Sequence, residues 1–172
     1  MKTQDALAEA AIACKAALTR FLPGFTEANA TAQAEHLPNH VLWTLGHVSL
    51  YLHTAAARLD GRPTPESDFG PDAGRRSRYV ADSIGFGSRP SPDVDGYPTL
   101  ARGVQIYEAA CDRLASAVRR ANDTALDQQV DWVGTQVPLG LLVFRVLFHA
   151  GVHTGQLLDL RRGLGLGKVL GG

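Results

Sequence analysis

Two histidines, His149 and His153, lie four residues apart in a long apolar segment that ends at Arg161 and Arg162. Residues at this spacing on an α-helix lie one turn above each other, with Cβ atoms about 5–6 Å apart. Two imidazole rings placed in this way can bind the same metal ion, because a neutral ring nitrogen is a common metal ligand. The spacing therefore predicts a metal-binding helix face. The alternative is that both rings only form hydrogen bonds in the core.

A third histidine ligand is expected from a second amphipathic segment, Asn39 to Leu59, which contains His47. Three histidine ligands leave one coordination position for water or substrate, which is typical of catalytic rather than structural zinc sites. We therefore predict His47, His149 and His153 as the metal ligands.

The other histidines fit this site less well. His40 precedes His47 by seven residues, which places it on the same helix face but about 10 Å away along the axis. His53 follows His47 by six residues and points away from it, and His36 lies in a connecting segment. We expect His40 to be too far away to share the ion unless the helix bends, and His36 and His53 to be ordinary polar residues.

The residue after the first histidine of the pair is Ala150, where zinc peptidases of the HExxH type have a glutamate base. Without that carboxylate, a metal-bound water would itself have to supply the base or nucleophile, with its pKa lowered towards neutrality by the ion. The sequence therefore disfavours peptidase chemistry.

Three further side chains could lie near the ion. Arg145, one turn before His149, could bind an anionic substrate, or it could form an interhelical ion pair, for example with Glu108. Tyr51, one turn after His47, could line the pocket or be a half-buried core aromatic. Gln156 could support a ligand or form an interhelical hydrogen bond.

Helical periodicity predicts four long helices and hence an all-α four-helix bundle. The four segments are Leu7 to Phe21, Asn39 to Leu59 with Asn39 as N-cap, Thr99 to about Asn122 with Thr99 as cap, and Pro138 to Gly163 with Pro138 in the first turn. Gln129 to Val133, with Val137, is only a weak strand candidate.

A long irregular segment, Gly61 to Tyr97, separates the second and third predicted helices and is rich in proline and glycine. Loops of this length in compact domains are commonly functional or binding loops. We expect this one to pack over one end of the bundle, with a turn or two of helix around Arg76 to Ser83. The 172 residues fit a single domain, residues 1–172, with this loop, residues 61–97, as an insert.

Composition disfavours several classes of function. The 17 basic residues balance 17 acidic ones, so no global positive field favours nucleic acid or an anionic membrane. No apolar run reaches the ~20 residues that span a bilayer, and Asp5 and Glu9 interrupt the segment where a signal peptide would be apolar. We expect a cytoplasmic protein. Cys14 and Cys111 lie on apolar helical stripes and are expected to be buried structural thiols.

The segments NHVLWTLGHVSLYL (39–52) and FHAGVHTGQLLDLRRGLGL (148–166) resemble the DinB/YfiT-like family of metal-dependent enzymes. The insert segment GFGSRPSPDVDGYPTL (85–100) also resembles that family, so the match covers nearly the whole chain. The resemblance implies an up-down-down-up four-helix bundle, often a homodimer. It also implies a divalent ion held by one histidine of the second helix and two of the fourth, which correspond to His47, His149 and His153.

Members of that family include transferases and isomerases that use low-molecular-weight thiols, and others have been proposed as hydrolases. The resemblance therefore implies a mononuclear enzyme in which the ion activates a thiol or water to attack a small electrophile. Zinc or nickel is the expected metal, with iron and manganese as alternatives. Loop arginines could bind a carboxylate of a thiol cofactor: Arg75, Arg76, Arg78 and Arg89. The alternative is a noncatalytic metal-binding or interaction protein with a stress-related role.

Overall fold

The computed structural model describes residues 1–71 and 75–169, with only the backbone of Arg75 included. The fold is mainly helical, as the sequence predicted. The helices are α1 (Thr3–Thr19), α2 (Val41–Asp60), α3 (Ala81–Ile84), α4 (Leu100–Arg120), α5 (Asp123–Asp127) and α6 (Leu139–Gly163). The strands are β1 (Gln129–Trp132) and β2 (Thr135–Pro138). Short 3₁₀ turns lie at Arg75–Ser77 and Val94–Gly96.

The four long helices match the four amphipathic segments of the sequence. Helix α2 packs against α4 and α6, and α1 packs against the same two helices on the other side. Their apolar faces form one core that is filled mainly by leucine, valine and alanine. This packing brings the middle of α2 against the middle of α6, where the predicted ligands lie.

The N-terminus of α2 is capped by His40 and not by Asn39, contrary to the sequence prediction. His40 Nδ1 accepts a hydrogen bond of 3.2 Å from the Trp43 amide, and its Nε2 lies 2.9 Å from the Ser91 carbonyl oxygen. The Asn39 side chain instead donates to Gln156 Oε1 on α6 at 3.3 Å. His40 therefore has a structural role, which the sequence analysis did not predict.

The weak strand candidate forms a β-hairpin directly before α6. Strands β1 and β2 are antiparallel, with Trp132 opposite Thr135. The two residues between them, Val133 and Gly134, have φ angles of 53° and 75°, as in a type I′ turn. The turn leaves Val133 79% exposed in a backbone conformation that β-branched residues rarely adopt.

The long loop is held in the core by Tyr79. Its fully buried ring lies between α2 and α4, against Gly46 and Gly103, where an added Cβ would come within 2.5 and 2.6 Å of Tyr79 atoms. The Gly70 amide donates to the Tyr79 carbonyl oxygen (2.9 Å), and the Tyr79 amide donates to the Asp68 carbonyl oxygen (2.8 Å). These backbone hydrogen bonds join two segments of the loop to each other. The loop is therefore packed against the helices through its own aromatic anchor.

A cluster of buried charges joins the end of α2 to α4. Arg113 of α4 donates Nε and Nη2 to the two carboxylate oxygens of Asp60, at 3.0 and 2.9 Å, and its Nη1 lies 3.1 Å from His53 Nδ1. Burial alone would raise the pKa of Asp60, but hydrogen bonds from Arg113 and Arg62 hold it well below its usual range. His53 therefore belongs to this cluster, remote from the predicted ligands.

Helix α6 carries apolar residues on both its buried and its exposed faces. It is long and apolar enough to cross a membrane by length and composition, although it is the only such helix in the described part of the chain. Its inner face is packed in the core. The outer face carries four exposed large apolar side chains: Leu141, Phe144, Phe148 and Val152.

The two cysteines lie on different helices, Cys14 on α1 and Cys111 on α4. Cys111 is buried, whereas Cys14 is only partly buried and its Sγ lies 3.6 Å from the Leu147 carbonyl oxygen. Burial raises the pKa of the Cys14 thiol, and it raises the pKa of Cys111 to about 12. Both thiols are therefore protonated at neutral pH.

Candidate metal centre

The side chains of His47, His149 and His153 converge on one point between α2 and α6. Nε2 of His149 lies 3.1 Å from Nε2 of His47 and 3.0 Å from Nε2 of His153. One ligand nitrogen from each ring falls within 4.8 Å of the others, so this group could hold a metal ion. Nitrogens bound at about 2.0–2.1 Å in a tetrahedral site lie about 3.4 Å apart, close to these separations.

Helix geometry places each of the three rings. His149 and His153 project from successive turns of α6, and His47 projects from α2, which packs against this part of α6. His47 and His153 are each only 6% exposed, whereas His149 is partly exposed. The group is therefore closed on the core side and open on the side of His149.

The orientation of the His47 ring is fixed from two directions. Its Nδ1 lies 2.6 Å from the carbonyl oxygen of Ile84, which can only accept a hydrogen bond, so Nδ1 carries the proton. The Trp43 indole stacks on the ring, with centroids 4.3 Å apart, and donates from Nε1 to Ser88 Oγ at 3.1 Å. The Nε2 lone pair of His47 therefore points at the other two histidines, in the arrangement that metal-binding histidines commonly have.

The His153 ring has weaker support. Its Nδ1 is buried and has no hydrogen-bond partner within the described residues. The neighbouring Gln156 amide, which accepts from Asn39, lies beside this ring and slightly favours its protonated form. The structure thus shows the interhelical hydrogen bond that was one of the two possibilities for Gln156.

The protonation states of the three rings suit a metal site. Burial lowers the pKa of His47, against a smaller opposing effect of the Ile84 carbonyl. Burial and the adjacent rings lower the pKa of His149 to about 4 and that of His153 to about 3. All three are neutral at pH 7, and a proton can bridge only two nitrogens at a time, whereas a divalent cation can bind all three lone pairs. The donor set therefore fits such an ion.

A pocket of about 310 Å³ opens beside His149. Its walls come from α2, the long loop, the hairpin and α6, and its lining residues are His47, Tyr51, Phe86, Trp132, Val133, Arg145, Val146 and His149. The Tyr51 ring lies 4.9 Å from His47 and 5.3 Å from His149 between centroids. Burial raises the pKa of Tyr51, so its hydroxyl is protonated at neutral pH.

Arg145 lines this pocket and is exposed. Within the described part of the chain it forms no ion pair, and the interhelical pair with Glu108 considered from the sequence does not form. The structure therefore places Arg145 beside His149 with a free guanidinium group.

The other candidates lie elsewhere. His36 is exposed at the surface, and the described loop arginines do not line the pocket. Arg76 donates to the Val94 carbonyl and to Glu27, whereas Arg78 donates to the Glu66 carbonyl. The side chain of Arg75 lies outside the described part of the structure.

The sequence analysis missed several residues of the site. Phe86 and Val133 form the pocket rim, Trp132 forms one wall, and Ile84 contributes only a backbone carbonyl. Every residue has a backbone carbonyl, so the contact of Ile84 with His47 could not be predicted from residue type. A strand ending in Trp132 and Val133 was the one available signal for the hairpin wall.

Comparisons with known proteins agree with this architecture. A family model described as the DinB superfamily matches residues 10–157. A crystal structure of a conserved protein from Enterococcus faecalis superposes with a TM-score of 0.73 at 17% sequence identity, covering 96% of this chain and 99% of that one. At this identity the likeness concerns the fold alone. No curated protein matches the chain.

Proposed function

The chain belongs to the DinB superfamily, and we propose that its three-histidine group binds one divalent metal ion at the centre of an enzyme. The observation that carries the proposal is that the Nε2 atoms of three neutral imidazole rings converge beside an open pocket. Zinc or nickel is the proposed metal, with iron or manganese as alternatives, since imidazole binds all of them.

The reaction that we propose is attack of a thiol or water on a small electrophile, as in thiol transferases and hydrolases. A divalent ion, when bound, supplies Lewis-acid chemistry that lowers the pKa of a thiol or water. The described pocket lining contains no carboxylate to act as a general base, which supports chemistry of this kind. Cys14 and Cys111 do not line the pocket, so a thiol nucleophile would come from a small molecule.

The protein residues have distinct proposed roles. His47, His149 and His153 hold the ion, and the Ile84 carbonyl and the Trp43 indole orient the His47 ring. Tyr51 lines the same pocket and is the proposed proton donor, because its hydroxyl stays protonated at neutral pH.

The alternative function is noncatalytic metal binding that ties α2 to α6. It predicts a closed coordination sphere, whereas the open side at His149 favours binding of a further molecule. We therefore give preference to the enzyme.

We also propose the setting that the sequence suggested. The four long helices would form one up-down-down-up bundle within a single cytoplasmic domain. A homodimer would cover the exposed apolar stripe of α6. Gly151 and Gly155 also lie on α6, and an added Cβ at either would meet no atom within 4 Å, which leaves room for a second helix to approach.

Metal analysis of the purified protein tests the central proposal. Plasma mass spectrometry should find close to one divalent ion per chain, and His149→Ala should lose it while remaining folded by circular dichroism. His36→Ala is the matched control, since it removes an exposed histidine outside the site. No metal in the wild-type protein, even after reconstitution with zinc and nickel, would contradict the proposal. Metal-loaded protein can then be assayed with small thiols and electrophiles.

A further inference from the structure

The pocket beside the three histidines has one charged group in an otherwise apolar lining. Among the described lining residues, Arg145 is the only arginine or lysine, and none is an aspartate or glutamate. The electrostatics therefore disfavour cationic ligands and favour an anion, whether or not a metal ion is bound.

Arg145 is available to such an anion. It is exposed and has no ion-pair partner within the described residues. It precedes His149 by one helical turn, so the two Cβ atoms are about 5–6 Å apart. A guanidinium group binds a carboxylate through two parallel hydrogen bonds, which fixes the orientation as well as the position of the ligand.

The pocket rim offers apolar surface that nothing in the described chain covers. Phe86 of the long loop is 88% exposed and Val133 of the hairpin turn is 79% exposed, although both line the pocket. Val133 also has a φ of 53°, an unfavourable conformation for a β-branched residue. Trp132 adds an aromatic wall between the rim and Tyr51, with ring centroids 5.7 Å apart.

From these features we propose that the pocket binds a small carboxylate with an apolar body. The carboxylate pairs with Arg145, and the apolar body lies between Phe86, Val133 and Trp132. The inference rests on the proposed enzyme and specifies the substrate class of the same site. A volume of about 310 Å³ is at the small end of ligand pockets, so the ligand is a small molecule.

Calorimetric titration with phenylpropionate and its neutral isostere phenylpropionamide tests the inference. Each probe is titrated into metal-free and zinc-loaded protein. Wild-type protein should bind the carboxylate at least about tenfold more tightly than the amide, since a hydrogen-bonded charge pair is worth that factor or more. Arg145→Gln should abolish this preference. Arg20→Gln is the matched control, because Arg20 is exposed and lies outside the pocket.

A second variant tests the apolar part. Phe86→Ala should weaken both probes by a similar factor and leave the preference for the carboxylate unchanged. Phe86 is almost fully exposed, so this change should not affect folding.

The possible outcomes separate this inference from the metal proposal. If neither probe binds, or if Arg145→Gln keeps the full preference, the inference is wrong. A preference that appears only with zinc and survives in Arg145→Gln would mean that the carboxylate binds the ion, which overturns the role of Arg145 and leaves the metal site intact. A preference that depends on Arg145 in protein that takes up no metal would support the inference and contradict the metal proposal.

Discussion

The Tyr79 side chain allows a sharp test of how the long loop is anchored. A Cβ added at Gly103 would lie 2.6 Å from the Tyr79 hydroxyl oxygen, while the next nearest atoms, on Leu45 and Leu42, are 3.5 and 3.7 Å away. A Cβ added at Gly46 would instead lie 2.5 and 2.6 Å from two carbons of the Tyr79 ring. The hydroxyl alone therefore blocks position 103, whereas the ring blocks position 46.

The free energies of unfolding follow from this difference. Tyr79→Phe removes a buried hydroxyl that has no hydrogen-bond partner among the described residues, so stability should stay unchanged or rise by about 1 kcal/mol. Gly103→Ala alone should cost about 1–3 kcal/mol through overpacking. Combined with Tyr79→Phe, the same change should stabilise by up to about 1 kcal/mol, because alanine is favoured over glycine in a helix. The two substitutions should therefore be coupled by about 1–4 kcal/mol.

Urea unfolding of wild-type protein, the two single variants and the double variant measures this coupling. Gly46→Ala provides the internal control, because it should be equally destabilising with and without Tyr79→Phe. A coupling below about 0.5 kcal/mol, which is the usual error of additivity, would refute the position of the hydroxyl between the helices. A rescue of Gly46→Ala by Tyr79→Phe would refute the assignment of the ring to that position.

Three further predictions concern the rest of the molecule. Arg113→Met should cost about 1.5–3 kcal/mol in thermal or urea unfolding, because it removes two charge-assisted hydrogen bonds and leaves Asp60 paired with Arg62, whereas Arg162→Met, at an exposed pair, should cost less than about 1 kcal/mol. Burial lowers the pKa of His53 to about 4 in the folded protein, whereas in the unfolded chain this histidine takes up a proton below about pH 6.5. The free energy of unfolding should therefore contain about 3 kcal/mol that is present above pH 6.5 and is lost progressively as the pH falls to 4. His53→Gln should not show this loss. Light scattering should give twice the 18.4 kDa chain mass for the wild-type protein and the monomer mass for Phe148→Ser; a monomeric wild type would contradict the homodimer.

The parts of the fold that the sequence predicted depend on local periodicity. Apolar residues recur every three or four positions through α1, α2, α4 and α6, so the helices were visible without any tertiary information. The His149 and His153 pair could be predicted for the same reason, since its spacing is fixed within a single helix. The choice of His47 relied on the two helices packing side by side.

The remaining parts depend on contacts between distant segments. The turn at Val133 and Gly134 lacks the Asn-Gly or Asp-Gly sequence that usually marks a two-residue hairpin, so the strands were predicted only weakly. His40 caps α2 because the Ser91 carbonyl oxygen of the loop contacts its Nε2 and leaves Nδ1 to accept from the Trp43 amide. The Tyr79 side chain packs against two glycines from different helices, Gly46 and Gly103. A single sequence does not show that these two positions lie on either side of the same aromatic residue.

The Ile84 carbonyl that fixes His47 belongs to the same loop that Tyr79 anchors. The proposed metal affinity and the docking of the loop are therefore thermodynamically linked, and the linkage is reciprocal. If the loop detaches, the His47 ring is free to rotate and the ion loses a preorganised ligand. Conversely, an ion bound at the three histidines should slow hydrogen exchange at the amides of Gly70 and Tyr79, which lie in the loop and not in the site.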